Sequence, residues 1–406
     1  MGPLVLERTM TSSRFLRPAL LLLAALVTGA AANAQVRYGL TDLSAFTGRP
    51  DFYTSGTAIN DRGQVLIHES GHSLNAWLYT PGRGAIDLST RIPPAAPDDH
   101  FLSLGGAGLN DRGQVAGEWY TTKLGPGMVP PQVFVFSEAA GMSNLTAPFA
   151  WGSGAAINNA GWVAARVRTP FDDRVALIDP STGTTTLAPL GFVMNGTPGL
   201  NEAGQLTGLV YAAGNSGVHA ALYDRVNGVT DLGTLGGRVA FANDINESGW
   251  VVGESERSGI DEVGNPLVHP FLRKPGGGLL DLGGLASRPD LPHGAAIALN
   301  DAGQVVGTFS QKSGNWETTG FLYDPAYGVL DLNDLLDPAA RAAGWTVEYA
   351  SSINNAGQIV GIGRFEDSTR AILLNRLATP VPEPGPALML GLGAMLAVAG
   401  RRRFSR

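Results

Sequence analysis

One short pattern recurs seven times in this 406-residue chain. A repeat of its period cannot bury an apolar face alone and must stack on its neighbours. In each copy an aliphatic residue precedes Asn, Gly follows three residues after it, and a β-branched or aliphatic residue comes two positions later. The pairs are Asn60/Gly63, Asn110/Gly113, Asn158/Gly161, Asn201/Gly204, Asn246/Gly249, Asn300/Gly303 and Asn354/Gly357. Neighbouring asparagines are 50, 48, 43, 45, 54 and 54 residues apart. Such spacings belong to propellers and solenoids.

Each repeat reads as four strands. Strand A ends at the aliphatic residue before Asn, as in Ala298-Leu299. Asn-x-x-Gly is a turn, because Asn can bond its own backbone onward and Gly tolerates positive φ. Strand B follows, as in Gln304-Val305-Val306-Gly307, then a short strand C, as in Gly320-Phe321-Leu322-Tyr323. A second turn leads to strand D, as in Val329-Leu330-Asp331-Leu332. Its glycines are Gly84, Gly141, Gly183, Gly228, Gly278 and Gly328. Apolar runs of this length between Gly, Pro and Asn are strands.

The phase of the repeats decides the architecture. The last repeat has A (Val347 to Ile353), B (Gln358 to Gly361) and C (Ala371 to Leu374), but no D. Tyr38-Gly39-Leu40-Thr41-Asp42-Leu43 is a D strand with no A to C before it. Together the two fragments make one unit, a join that removes both open edges of a ring. An open solenoid would cap its ends with different, polar units. The expected fold is therefore all-β, a seven-bladed β-propeller closed by its N-terminal strand.

The wording of the repeats resembles the HAF-type extracellular repeats. His219-Ala220-Ala221-Leu222-Tyr223, Asp231-Leu232-Gly233-Thr234-Leu235-Gly236-Gly237 and Ile245-Asn246 through Val251-Val252-Gly253 match best. The third repeat departs most, with Val175-Ala176-Leu177-Ile178 and Thr184-Thr185-Thr186-Leu187. The resemblance covers about residues 36–377 and implies a fold and export, without an activity.

Both ends read as addresses. Arg14 and Arg17 precede the apolar run Ala19 to Val27, and Ala32-Asn33-Ala34 follows. That is a signal peptide, 1–34, with cleavage between Ala34 and Gln35 set by Ala32 and Ala34; Met10 is an alternative start. At the other end Val381-Pro382-Glu383-Pro384 is a stiff, helix-breaking segment. An uncharged small-residue stretch, 386–400, comes next. Arg401, Arg402 and Arg403 begin a basic tail, 401–406, expected to stay cytoplasmic. The order resembles the PEP-CTERM sorting signal, a tail that an exosortase recognises and removes during delivery to the envelope surface. The resemblance implies Pro382, Glu383 and Pro384 as the recognition motif and Arg401, Arg402 and Arg403 as the stop. It also implies a transient membrane anchor, a single transmembrane hydrophobic helix. The domains are then 1–34, the propeller 35–377, a linker 378–385, the sorting helix 386–400 and the tail.

Composition sets limits on the body. The whole chain has a net charge of −7, and residues 1–34 and 381–406 hold seven Lys/Arg against two Asp/Glu, so the body carries −12. That is a poor match to nucleic acid. There is no cysteine, hence no disulfide, thiolate metal site or cysteine nucleophile.

No specific catalytic, nucleotide-binding or metal motif is present, so no catalytic residue, cofactor or metal is expected. His219 and His269 recur at the start of strand C and read as structural. His68 and His72 lie four apart, a metal-ligand spacing only on a helix. His100 and His293 sit in loop-like stretches. The strand D aspartates Asp42, Asp87, Asp231, Asp281 and Asp331 are either a cation-binding ring or caps on neighbouring turns, and the second is favoured. Trp162 and Trp250 fill a slot that is Gln elsewhere. They read as packing between blades rather than sugar platforms.

The expected function is a non-enzymatic, exported cell-surface or extracellular-matrix protein, a binding or structural module associated with exopolysaccharide. Its partners would be that polysaccharide and an exosortase-type processing enzyme. The alternative is a polysaccharide-active lyase or glycosidase with a site at the propeller channel, which rests on fold analogy. Binding is expected in the inserts 89–104, 121–132, 255–268 and 309–319.

Overall fold

The structure is a computed structural model that describes residues 36–377 except 50–51, 70–74, 93–104, 120–130, 146–148, 150, 197 and 312–316. The expected signal peptide, sorting motif, apolar tail, His72 and His100 lie outside the described residues. By contacts the chain divides into Tyr38–Arg376 and a unit of the two terminal segments, Met1–Arg37 with Leu377–Arg406.

The fold is all-β. Residues 54–87, 105–144, 152–187 and 293–331 each form a four-stranded antiparallel sheet with its strands in chain order. Residues 192–281 form an eight-stranded sheet in two halves, joined by one parallel contact, Val218 opposite Val239. The last sheet has three strands late in the chain, Thr346–Ile353, Ile359–Phe365 and Ser368–Arg376. Its fourth strand is Tyr38–Asp42, with Tyr38 opposite Arg376 and Asp42 opposite Ile372.

The sheets are buried on both faces, which is why their inner strands read as continuous apolar runs rather than alternating ones. In strand B of the first repeat, Val65 and Ile67 pack with Val360, Ala371 and Leu373 of the last sheet. Leu66, pointing the other way, packs with Val115, Phe134 and Phe136 of the second. The period of two sorts the side chains between two neighbours. The same division recurs at Val251 and Val252, which enter different clusters. Each fully buried Val, Leu, Ile or Phe is worth at most about 1.5–3 kcal/mol.

Four local features depart from the sequence reading. Strand A of the fourth repeat is reduced to Phe192–Val193 and a bridge from Leu200 to Leu206, because Pro198-Gly199 interrupts it. In the fifth repeat the C–D turn residue with positive φ is Gly276 (+74°), not Gly278. Two short helices, α1 (Leu332–Leu335) and α2 (Pro338–Ala342), follow the sixth strand D. They start where Asp331 accepts from Asn333 N and Asp337 from Ala340 N, with Pro338 in the first turn. Finally, the glycine of strand B has a packing role. Strand A bulges opposite it, so a Cβ on Gly307 would lie 2.0 Å from the Ala295 carbonyl oxygen, and one on Gly361 1.9 Å from that of Tyr349.

Candidate functional site

The Asn-x-x-Gly turns meet around a cavity of about 240 Å³. Within a repeat, each turn is closed as the sequence suggested. Asn60 Oδ1 accepts from Arg62 N (3.1 Å) and Gln64 N (2.9 Å), and Gly63 takes φ +72°. The asparagine also reaches outward, which the sequence reading missed. Its Nδ2 donates to the backbone oxygen of the next repeat's Asn. These bonds run Asn60 to Asn110 (2.8 Å), Asn110 to Asn158 (2.9 Å), Asn158 to Asn201 (3.1 Å) and Asn201 to Asn246 (3.2 Å). They continue from Asn246 to Asn300 (3.1 Å), from Asn300 to Asn354 (3.1 Å), and from Asn354 to Asn60 (3.0 Å). All seven asparagines are buried.

A second circuit uses the next residue. Its backbone N–H donates to the side chain one repeat on. Asp61 N donates to Asp111 (2.7 Å), Asp111 N to Asn159 (2.6 Å), and Asn159 N to Glu202. Glu202 N donates to both oxygens of Glu247 (3.2 Å each), Glu247 N to Asp301 (3.0 Å), Asp301 N to Asn355 (2.9 Å), and Asn355 N to Asp61 (2.8 Å). Five carboxylates thus rim this mouth, and each is held by backbone donors. Burial, opposed by the Glu202 N–H and reinforced by Glu202 and Asp301, holds the Glu247 carboxyl above the usual range. Among the described residues no group of three or more His, Asp or Glu side chains could hold a metal ion.

The strand D aspartates are elsewhere, and each is committed locally. Asp42 and Asp87 accept from Ser44 N and Ser89 N (2.9 Å each), Asp231 from Gly233 N (2.8 Å), Asp281 from Gly283 N (2.7 Å) and Asp331 from Asn333 N (2.9 Å). Four of them also reach a side chain on strand C: Asp231 to His219 (2.9 Å), Asp281 to His269 (2.8 Å), Asp331 to Thr319 (3.0 Å) and Asp42 to Arg370 (2.8 Å). The two histidines lock a turn to its neighbouring strand and are structural. His68 has its Nε2 buried without a partner among the described residues, and burial lowers its pKa. Trp162 and Trp250 are packing residues, each capped by a cation: Arg225 at 4.3 Å and Lys274 at 4.0 Å from the ring centroids. Trp250 lies against Gly303 of the following repeat.

Next to this collar of Asn-x-x-Gly turns lies a second cavity, about 410 Å³, walled mainly by the last residues of the A strands. Six repeats place a small residue before the final aliphatic one: Ala58, Gly108, Ala156, Gly199, Ala298 and Ser352. The fifth places Asp244 there. Asp244 accepts from Ile245 N (2.8 Å) and from Leu299 N of the next repeat (3.0 Å). It keeps some accessible surface on the cavities it lines, but the surrounding protein displaces bulk water. That desolvation outweighs the two donors and pushes its carboxyl up to about 7.

A third cavity, about 590 Å³, shares Asn243, Ile297 and Tyr349 with the second. Glu254 and His293 also line it. His293 is buried; Val268 N donates to its Nδ1 (3.3 Å), so its Nε2 carries the proton and donates to Asp261 (3.1 Å). Burial alone would raise the Asp261 carboxyl, but donors from Asn265, His293 and Val263 outweigh it and hold it well below the usual range. His293 is therefore a wall bonded on both ring nitrogens. The polar groups here come mainly from A and B strands. Of the inserts expected to gather them, 255–268 contributes Val268 and 309–319 contributes Ser310.

No known family profile matches the chain, and no curated protein matches it. Solved structures do. TolB from Acinetobacter baumannii matches over 84% of this chain and 83% of its own, with 14% identity and a TM-score of 0.43. A streptogramin B lyase matches over 84% and 98%, with 10% identity and a TM-score of 0.45. The β-propeller domain of the Trilobed protease from Pyrococcus furiosus matches over 82% and 99%, with 7% identity and a TM-score of 0.47. Among the described residues no helix is long and apolar enough to cross a membrane.

Proposed function

We propose that the body is a seven-bladed β-propeller closed by its N-terminal strand, and that it serves as a non-enzymatic binding module on the cell surface or in the extracellular matrix. The observation that carries the fold reading is the carboxamide circuit, in which Asn354 bonds Asn60 across 294 residues. On this reading the three cavities are sections of one central channel. The collar end is built from groups already committed to the backbone, so it acts as scaffold. The ligand, an extracellular polysaccharide, enters at the other end.

The alternative, a polysaccharide-active lyase or glycosidase, is less well supported. A glycosidase needs two carboxylates about 5–9.5 Å apart in one cleft. Among the described residues the 590 Å³ cavity is lined by one, Glu254, and its histidine is occupied on both nitrogens. Export by the signal peptide and sorting by an exosortase through Pro382, Glu383 and Pro384 complete the proposal.

Two experiments test it. Purified body, 35–377, is expected to bind polysaccharide on a glycan array without depolymerising it; release of reducing ends or unsaturated uronates would favour the enzyme. In the native host, Glu383→Ala is expected to leave unprocessed chain in the membrane fraction. Unchanged processing would remove the sorting proposal.

A further inference from the structure

We propose that the 590 Å³ cavity, between Asn195, Asn243, Glu254, Ser310 and Tyr349, is a binding site for a neutral polyhydroxylated ligand, a short saccharide segment without carboxylate or sulfate groups. This rests on the reading of the body as a polysaccharide-binding module and narrows the ligand class.

Size is the first argument. The volume falls within the roughly 300–1,000 Å³ of small-molecule sites. The second is the hydrogen-bonding character of the wall. Asn195 Nδ2 donates to Asn243 Oδ1 (3.1 Å), and Asn243 Nδ2 donates to the Ala296 carbonyl (2.9 Å). This chain fixes both amides and leaves the Asn195 carbonyl oxygen without a donor among the described residues. The hydroxyls of Tyr349 and Ser310 have no side-chain partner among the described residues and can donate or accept. Burial pushes the Tyr349 hydroxyl up to about 12, with the Glu254 charge adding to it, so it stays a proton-bearing phenol. Fixed amides, rotatable hydroxyls and one aromatic ring suit a sugar, which presents hydroxyls at its edge and C–H groups on its face.

Charge supplies the third argument. Among the described residues the wall contains the carboxylic acid Glu254 and no Lys or Arg. An anionic sugar would enter a desolvated site whose described wall offers its charge no cation. The body's acidity acts in the same direction at longer range. The cavity's inner wall is firm, because His293 is bonded on both nitrogens and Thr308 Oγ1 is bonded to the backbone of Glu348 (3.2 Å).

The test uses an array of neutral and uronate-bearing oligosaccharides, read with the full body and two variants. Tyr349→Phe keeps the ring and removes the hydroxyl. Ser310→Trp fills the cavity from its rim. Neutral glycans are expected to bind, at least tenfold more weakly to Tyr349→Phe and not at all to Ser310→Trp, with thermal unfolding of both variants unchanged. Glycan binding that both folded variants retain would overturn the cavity assignment while leaving the binding-module reading in place. Preference for uronate-bearing glycans would overturn the neutral-ligand assignment. Binding to no glycan would overturn both readings.

Discussion

Asn354 and Asn300 occupy equivalent turns, and the ring reading makes their removal equally costly. In each, Nδ2 donates to the own-repeat Gln Oε1 (2.8 and 2.9 Å), and Oδ1 accepts from the same Gln's N–H (2.9 and 3.0 Å). The third bond crosses to the next repeat, at 3.0 Å from Asn354 to Asn60 and 3.1 Å from Asn300 to Asn354. Substitution by Ala removes three bonds at about 0.5–1.5 kcal/mol each and takes a partner from one buried N–H donor and two carbonyl acceptors. Either variant is expected to lose about 3–4 kcal/mol. The difference in sequence separation, 294 residues against 54, should not matter in a folded ring. Urea unfolding of the body, with matched m-values, measures both. A cost for Asn354→Ala smaller than that of Asn300→Ala by about 1 kcal/mol or more would mean that the bond to Asn60 is absent, and the reasoning would fail.

Three further outcomes are expected. Asp244 has a folded pKa raised to about 7, above its unfolded value, so its protonated form favours the fold and stability falls as pH rises from about 4 through 7. The stability of Asp244→Ser relative to the parent should therefore grow over that range by up to about 4 kcal/mol, measured by denaturation at each pH; a pH-independent difference would contradict the shift. Gly307→Ala places a Cβ 2.0 Å from a backbone oxygen and should cost about 3 kcal/mol or more, whereas Gly328→Ala, with open space but φ +78°, should cost about 1 kcal/mol. Equal thermal shifts for the two would refute the close-packing account. Deleting residues 36–44 removes a whole strand and should lower the melting temperature and expose Ser368–Arg376 to protease; unchanged resistance would contradict the closure.

Much of the strand order could be read because the repeats supply their own registration. The Asn-x-x-Gly turn has one chemical solution, and the missing strand D at one end matched the spare one at the other. Strand A of the fourth repeat was misread because Pro198-Gly199 breaks its pairing while keeping the Asn that marks it. The helices α1 and α2 went unseen because helices of four and five residues have no apolar period to detect.

The site was less legible. The mainly acidic residue after each asparagine, from Asp61 to Asn355, recurs in the sequence as the strand D aspartates do, and nothing in either pattern says which N–H groups it faces. Their role depends on which N–H groups face them. Asp244 could have been found, since it breaks a column of Ala, Gly and Ser. The 590 Å³ cavity could not. Asn195, Glu254 and Tyr349 hold unrelated repeat positions and meet only through the curvature of the sheets.

Closure is the claim on which the rest depends, and a disulfide tests it directly. Gly39 lies opposite Asn375, on strands at the two ends of the body. Antiparallel partners are about 4.5–5.5 Å apart at Cα, within the range a disulfide spans. The chain has no cysteine of its own, so Gly39→Cys with Asn375→Cys gives an unambiguous pair. Mild oxidation of the folded double variant is predicted to yield a monomer with no free thiol that migrates faster on a non-reducing gel. Two free thiols in a folded monomer, or disulfide-linked dimers alone, would contradict the closed ring.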